Sequence, residues 1–298
     1  MNQLPERDLP PGSHRLLKER LMTEIRQEPQ SKRSPWLRPA LVAGAVAAVA
    51  AVTLTLAAPS GEQTPRPSSE AAALLEDIAL AAGDAKAPQV RDDQFVYIKS
   101  KVAWTSQEGD KPAKLDPIRQ REIWLSVDGS QQGMLHDPAV RSDHELLEKE
   151  TPGTPSNTNY RHLQTLPTDP DKMYDWLNSV SHGSSSKDEA NFVLVGDLSR
   201  ESLMPPEQAA ALYRAAAKIP GVFVIDDAVD AAGRHGVAVA RIDDGERHEL
   251  IFDKETKEFL GERGVAVEDL PWGFEKGEVT ARTAVLERTV VDDRGERP

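Results

Sequence analysis

The chain has 298 residues, a net charge of −13 and no cysteine. The missing thiols exclude disulfides, cysteine-ligated zinc, iron–sulfur clusters and thiol catalysis. The acidity argues against a nucleic-acid partner, whose phosphates would be repelled. The charge is uneven: residues 1–39 hold eight Lys/Arg against five Asp/Glu, a net of +3, which leaves −16 for the remainder.

In chain order, Pro10-Pro11-Gly12-Ser13 is a breaker cluster, and Ser13 suits the N-cap of a helix over residues 14–27. Leu17, Leu21 and Ile25 recur every four residues there, Leu16 and Met22 widen the apolar edge, and Lys18, Arg20, Glu24 and Arg26 occupy much of the rest. So short a helix is not stable alone in water. It is expected to dock on the inner leaflet or in a cytoplasmic protein groove, with a frayed, partnerless tail as the alternative. The candidate docking face is Leu17, Leu21 and Ile25, with Lys18 and Arg20 steering.

Residues 40–58 read ALVAGAVAAVAAVTLTLAA, nineteen residues without a charge. At a rise of ~1.5 Å per residue they cover ~28 Å, close to the ~30 Å hydrocarbon core of a bilayer. A buried core helix would carry a polar stripe, and only Thr53 and Thr55 interrupt this run. A cleaved signal peptide would have a shorter leading region and a better small-residue cleavage pattern than Leu56-Ala57-Ala58. Alanine inserts weakly, so the flanks decide. Lys32, Arg33, Trp36 and Arg38 precede the run, and no basic residue follows until Arg66. That asymmetry predicts an uncleaved signal anchor, with a cytoplasmic N-terminus and an extracytoplasmic C-terminal region.

The domain plan that follows is a cytoplasmic tail (1–39), a transmembrane helix (40–58), a Pro-rich spacer (59–69) and an extracytoplasmic domain (70–298). In that domain the spacing Ala71, Leu74, Leu75, Ile78, Ala82 predicts a helix over 70–82 that Gly83 stops. Strands are predicted over 94–102 and 121–127, with an Asp128-Gly129 turn and a return strand over 132–135. Residues 137–161 read as a long polar loop. Asp169-Pro170 opens a helix with Met173, Trp176, Leu177 and Val180 inward. Residues 189–200 are helical by the spacing of Phe192, Val195 and Leu198, or contain a short strand at 192–195. Pro205-Pro206-Glu207 starts a helix with Ala209, Leu212, Tyr213 and Ala216 inward. Strands at 222–225, 237–242, 250–252, 259–267 and 279–291 then form an antiparallel meander. The predicted fold class is α+β: a twisted antiparallel sheet with helices packed on one face, plus the one N-terminal transmembrane helix.

The chain carries no recognisable catalytic motif. Its histidines (14, 136, 144, 162, 182, 235, 248) lack metal-ligand spacing, and there is no nucleophile elbow, P-loop or dinucleotide fingerprint. Gly183-Ser184-Ser185-Ser186 reads as a linker. Gly233-Arg234-His235-Gly236 reads as a hairpin turn, in preference to an anion site, because glycine at both ends suits a tight turn. No catalytic residue, metal ligand or cofactor is assigned, and the expectation is a non-enzyme.

LPERDLPPGSHRLLKERLM, the Arg-Pro followed by the Ala/Val anchor, LPTDPDKMYDWL, PPEQAAALYRAAAKIPGV and DAAGRHGVAVAR together resemble an actinobacterial family of uncharacterised single-pass membrane proteins. Members are often encoded beside an extracytoplasmic-function sigma factor. More distantly, FVYIKS, then REIWLSVDG, then helices, then a meander is similar in pattern to the half-barrels of lipoprotein-carrier and sigma-regulator periplasmic domains. The resemblance implies a role in sigma-factor signalling. The chain departs from typical anti-sigma factors in lacking a His/Cys zinc motif and in its short cytoplasmic region, so the role implied is a tethered sensor or accessory regulator. The partners expected are a cytoplasmic sigma factor or other regulator and, outside, an apolar ligand or envelope protein. The alternative is a membrane-anchored carrier or binding module for a lipid or lipopeptide held in the sheet's concavity.

Overall fold

A computed structural model describes residues 67–109, 111–139, 145–147 and 157–298. The tail with Leu17, Lys18, Arg20, Leu21 and Ile25, the run 40–58 and most of the spacer lie outside the described residues. Among the described residues no helix is long and apolar enough to cross a membrane.

Helix α1 (Ser69–Asp84) is opened by Ser68, whose hydroxyl accepts from Ala71 N at 3.0 Å. Its inward stripe is Ala71, Leu75, Ile78 and Ala79. Gly83 does not stop it; the helix runs to Asp84 and ends at the extended Ala85. One glycine costs a helix only about 1 kcal/mol, less than packing against a neighbouring helix returns.

The strands are β1 (Phe95–Ala103), β2 (Thr105–Ser106), β3 (Lys114–Leu115), β4 (Arg119–Ser126), β5 (Gly133–His136), β6 (Glu145–Leu147), β7 (Phe223–Val229), β8 (His235–Asp243), β9 (Glu246–Phe252), β10 (Phe259–Ala266) and β11 (Val279–Val291). Nine of them form one sheet in the order β6-β5-β4-β1-β11-β10-β9-β8-β7, antiparallel throughout. The C-terminal meander is as the sequence predicts. Pairing of β11 with β1, from Phe95 opposite Val291 to Ala103 opposite Arg282, joins it to the N-terminal strands. Two elements differ from expectation. The polar stretch 137–161 contains the edge strand β6 and the start of a helical turn, α2 (Tyr160–Leu163). The segment after β1 folds into the small β2–β3 hairpin.

Three longer helices join α1 on one face of the sheet: α3 (Pro170–Val180), α4 (Lys187–Arg200) and α5 (Pro206–Ala216). Asp169 caps α3 by accepting from the amides of Asp171 and Lys172 at 3.1 and 3.0 Å. Ser186 caps α4 through Glu189 N at 3.1 Å, so residues 192–195 are helical, not a strand. Helix α5 is the hub of the layer, packed on α1, α3 and α4, and α4 is wedged between α5 and strands β8 and β10. The main core combines the helix stripes with Val96, Ile98, Ile123, Leu125, Val239, Leu250, Phe252 and Val285, which face the helices.

Candidate functional site

Two charged constructions dominate the described domain, one on each face of the sheet. The first is built on α4. One side of this helix is apolar, with Phe192, Val195 and Leu198 in the core. The other side turns Glu189, Gly196, Asp197 and Arg200 toward the strands. Gly196 permits the close approach, because a Cβ there would sit 2.6 Å from Glu262 Oε1 and 3.0 Å from Leu250 Cδ2. Arg200 donates to Glu262 Oε2 at 2.7 Å and to Asp197 at 3.0 Å, and lies 5.3 Å over the Trp104 ring. Arg121 of β4 donates to Glu201 at 2.9 Å. The buried Asp137 accepts from Arg119 at 2.6 Å and from Arg121 at 3.4 Å. At the other end Arg241 of β8 donates to Glu189 at 2.7 Å and Asp243 at 3.1 Å. His248 Nε2 stands 3.6 Å from both Glu189 and Glu246. Glu246 accepts a short bond from Thr280, and Arg288 donates to the Ser199 carbonyl.

Burial raises the Glu262 carboxyl, with Arg200 opposing. At Glu201 burial works the same way, but Arg121 and Arg200 prevail and hold it below the ordinary range. Arg200 stays a firm cation, since Glu262, Asp197 and Glu201 outweigh the burial that works against its charge. These groups neutralise one another. Together with α4 they cover the sheet face that packs against the helices.

The second construction covers the opposite, outer face. Phe95, Tyr97, Trp124, Met134 and Val291 form a separate cluster there, and the last residues of the chain fold over it. Trp124 Nε1 donates to the Glu296 carbonyl at 2.6 Å. Arg297 grips both oxygens of the buried Glu122 at 2.8 Å and lies 5.6 Å over the Trp124 ring. The Tyr97 hydroxyl donates to Glu122 at 2.6 Å. Arg297, against the opposing effect of burial and with help from Tyr97, depresses the Glu122 carboxyl to about 2. Burial, then the bond to Glu122, pushes the Tyr97 hydroxyl up.

Gly233-Arg234-His235-Gly236 closes the β7–β8 hairpin, with Gly233 at a φ of +83°. Arg234 is spent on structure. It pairs with the buried Asp230 at 2.6 Å and donates to the Leu260 and Val285 carbonyls at 3.0 and 2.8 Å, tying the hairpin tip to β10 and β11. Gly236 lies inside β8, where a Cβ would fall 2.4 Å from the Phe252 carbonyl oxygen, so close strand approach is its role. Gly183 to Ser186 joins α3 to α4 and ends in the α4 cap. His162 is half-buried, which lowers its basicity; His235 is exposed and pairs with Asp227 at 3.0 Å. Two surface depressions, of about 370 and 220 Å³, lie beside Tyr160 and Pro205 and along residues 181–187, at the rim of the helix layer. Among the described residues no three His, Asp or Glu side chains converge as a metal site.

Sequence reasoning missed the α4 seam. Its signal is parity: Arg121 shares the face of Ile123 and Leu125, and Arg241 that of Val239. A charge on a core-facing position announces a buried partner. That the partner lies on α4 follows only from the tertiary packing.

No family model matches the chain, and no curated protein matches it. Among solved structures it is similar to MucB, at 16% identity and a TM-score of 0.25, over 78% of this chain and 61% of that one. It is also similar to a LolA superfamily protein from Nitrosomonas europaea, at 9% identity and a TM-score of 0.19, over 72% of this chain and 92% of that one. The chain thus spans about three-fifths of MucB, and both are weak structural similarities.

Proposed function

We propose that the chain is a membrane-anchored, non-enzymatic regulator or sensor linked to an extracytoplasmic-function sigma factor system. In this reading residues 1–39 are cytoplasmic, residues 40–58 cross the membrane and the α+β domain faces outward. The observation that carries it is the uncharged run, with Lys32, Arg33 and Arg38 before it and no basic residue after it until Arg66. The packing of the domain fits a binding role better than a catalytic one. The charged side chains of α4 and of the strands beneath it are paired with one another, which leaves them unsuited to activating a nucleophile. The packed helix face also weighs against the carrier alternative, which needs a vacant apolar pocket there.

Two measurements on the full-length protein in its own membrane test the reading. Protease added to intact spheroplasts is expected to digest the 70–298 domain and spare the tail. Immunoprecipitation is expected to bring down a sigma factor with the native chain and not with Leu17→Asp/Leu21→Asp. A domain shielded from protease, or equal capture by the double variant, rejects the proposal. Extraction of a stoichiometric lipid from the purified protein would favour the carrier instead.

A further inference from the structure

The outer face holds a row of cations that outnumbers the carboxylates beside it among the described residues. Arg282 of β11 stands directly opposite Arg263 of β10, which stands opposite Glu249 of β9. Arg247, two residues before Glu249, shares that face. Glu249 is fully buried and divides its carboxylate between the two neighbours, accepting from Arg247 Nε at 2.7 Å and from Arg263 Nε at 2.7 Å. Arg282 receives nothing. Its Nε is buried without a hydrogen-bond partner, and among the described residues no carboxylate lies within ion-pair distance of it. Lys101 lies diagonally beside it on β1, facing Ala284 on one side and Gln120 on the other. By contrast, Lys99 has Glu287 and Glu122 opposite it.

Like charges directly opposite each other on a sheet are destabilising. Here, among the described residues, three guanidinium groups and one ammonium stand beside one carboxylate, which pairs with two of them, in a chain whose overall charge is −13. Arg247 and Arg263 bind Glu249 through Nε, which leaves the terminal nitrogens of both guanidinium groups beyond that contact. With Arg282 they form a line of donors on three adjacent strands, spaced by ~5 Å. A tetrahedral oxyanion matches such a line, because its several oxygens accept from more than one fork at once. A carboxylate, with two oxygens, would leave one of the three forks unmet.

We infer that Arg282, Arg263 and Arg247, with Lys101 beside them, form a phosphate-binding site on the outer face of the sheet. Arg282, unpaired among the described residues, is its principal donor, and Glu249 holds the other two arginines in place. The site stands on the outer face alone, so it holds whatever the tail binds.

The test uses the full chain in nanodiscs of neutral phosphatidylcholine. Calorimetric titration with inorganic phosphate is expected to show saturable binding. Arg282→Gln should weaken it by about tenfold or more, the scale of a lost charge-assisted bond, without lowering the unfolding midpoint, because it loses no ion pair among the described residues and relieves the repulsion with Arg263. Lys101→Gln should weaken it less, and Lys218→Gln, just past α5 in the helix layer on the opposite face, not at all. Binding of the same chain to phosphatidylglycerol vesicles but not to phosphatidylcholine vesicles, lost in Arg282→Gln, would assign the phosphate to a lipid headgroup. Phosphate binding without it would assign a free ligand. Absence of binding in both arms, or equal affinity in the native chain and Arg282→Gln, overturns the inference.

Discussion

Glu122 shows what one buried carboxylate does when an arginine fork closes over it. Its folded value of about 2 lies below that of the unfolded chain. The stability it contributes is therefore fully present above the unfolded value and is lost as pH falls toward 2. A depression of this size converts to about 3 kcal/mol. Arg297 is 51% exposed, so solvent screening brings the contribution to about 1–2 kcal/mol. Arg297→Gln should remove that amount in urea unfolding at pH 7, and the gap between variant and native chain should shrink by about half or more at pH 3. A gap independent of pH would mean that Arg297 acts through stacking on Trp124 alone. Gly236 makes a steric prediction. Alanine there meets the Phe252 carbonyl 2.4 Å away, a backbone atom that cannot rotate aside, and should cost about 1–3 kcal/mol.

Helix α4 is the element on which the domain turns. It is buried on nearly all sides, and its charged side is viable only because Arg121, Arg241 and Glu262 meet it. Arg200→Met should destabilise the domain by about 3–5 kcal/mol, since Glu262 is then left buried and unpaired. Arg200→Met/Glu262→Leu should recover much of that loss, so the two substitutions are strongly non-additive in a double-mutant cycle. Simple additivity would show that the pair is decorative. Helix α3 depends on its first turn instead. Asp169→Ala removes the acceptor for two amides and should lower stability by about 1 kcal/mol in thermal or urea unfolding.

At the scale of the whole molecule, much was legible in the residues because the signals are local. Period-two and period-3.6 patterns depend on neighbours a few positions away, and they located the strands of the meander and helices α1, α3 and α5 to within a few residues. Asp169-Pro170 and Asp128-Gly129 mark their helix start and turn for the same reason. The uncharged run 40–58 and the tail face of Leu17, Leu21 and Ile25 are likewise sequence features, and the proposed topology rests on them. Helix α4 was ambiguous, since a helix buried on nearly all sides keeps little of the polar stripe that periodicity detects. The β6 strand was hidden because its residues sit in a polar stretch and pair only at a sheet edge. What only the tertiary structure decided is who meets whom. The β1–β11 pairing joins residues some 190 positions apart. Arg200 finds Glu262 across the core, Arg297 finds Glu122 across the chain, and Arg282 is left opposite Arg263 with no carboxylate of its own among the described residues. Coulomb energy and hydrogen bonding act through space, so a charge's role, whether spent in the core or left available on the surface, is set by the fold that surrounds it.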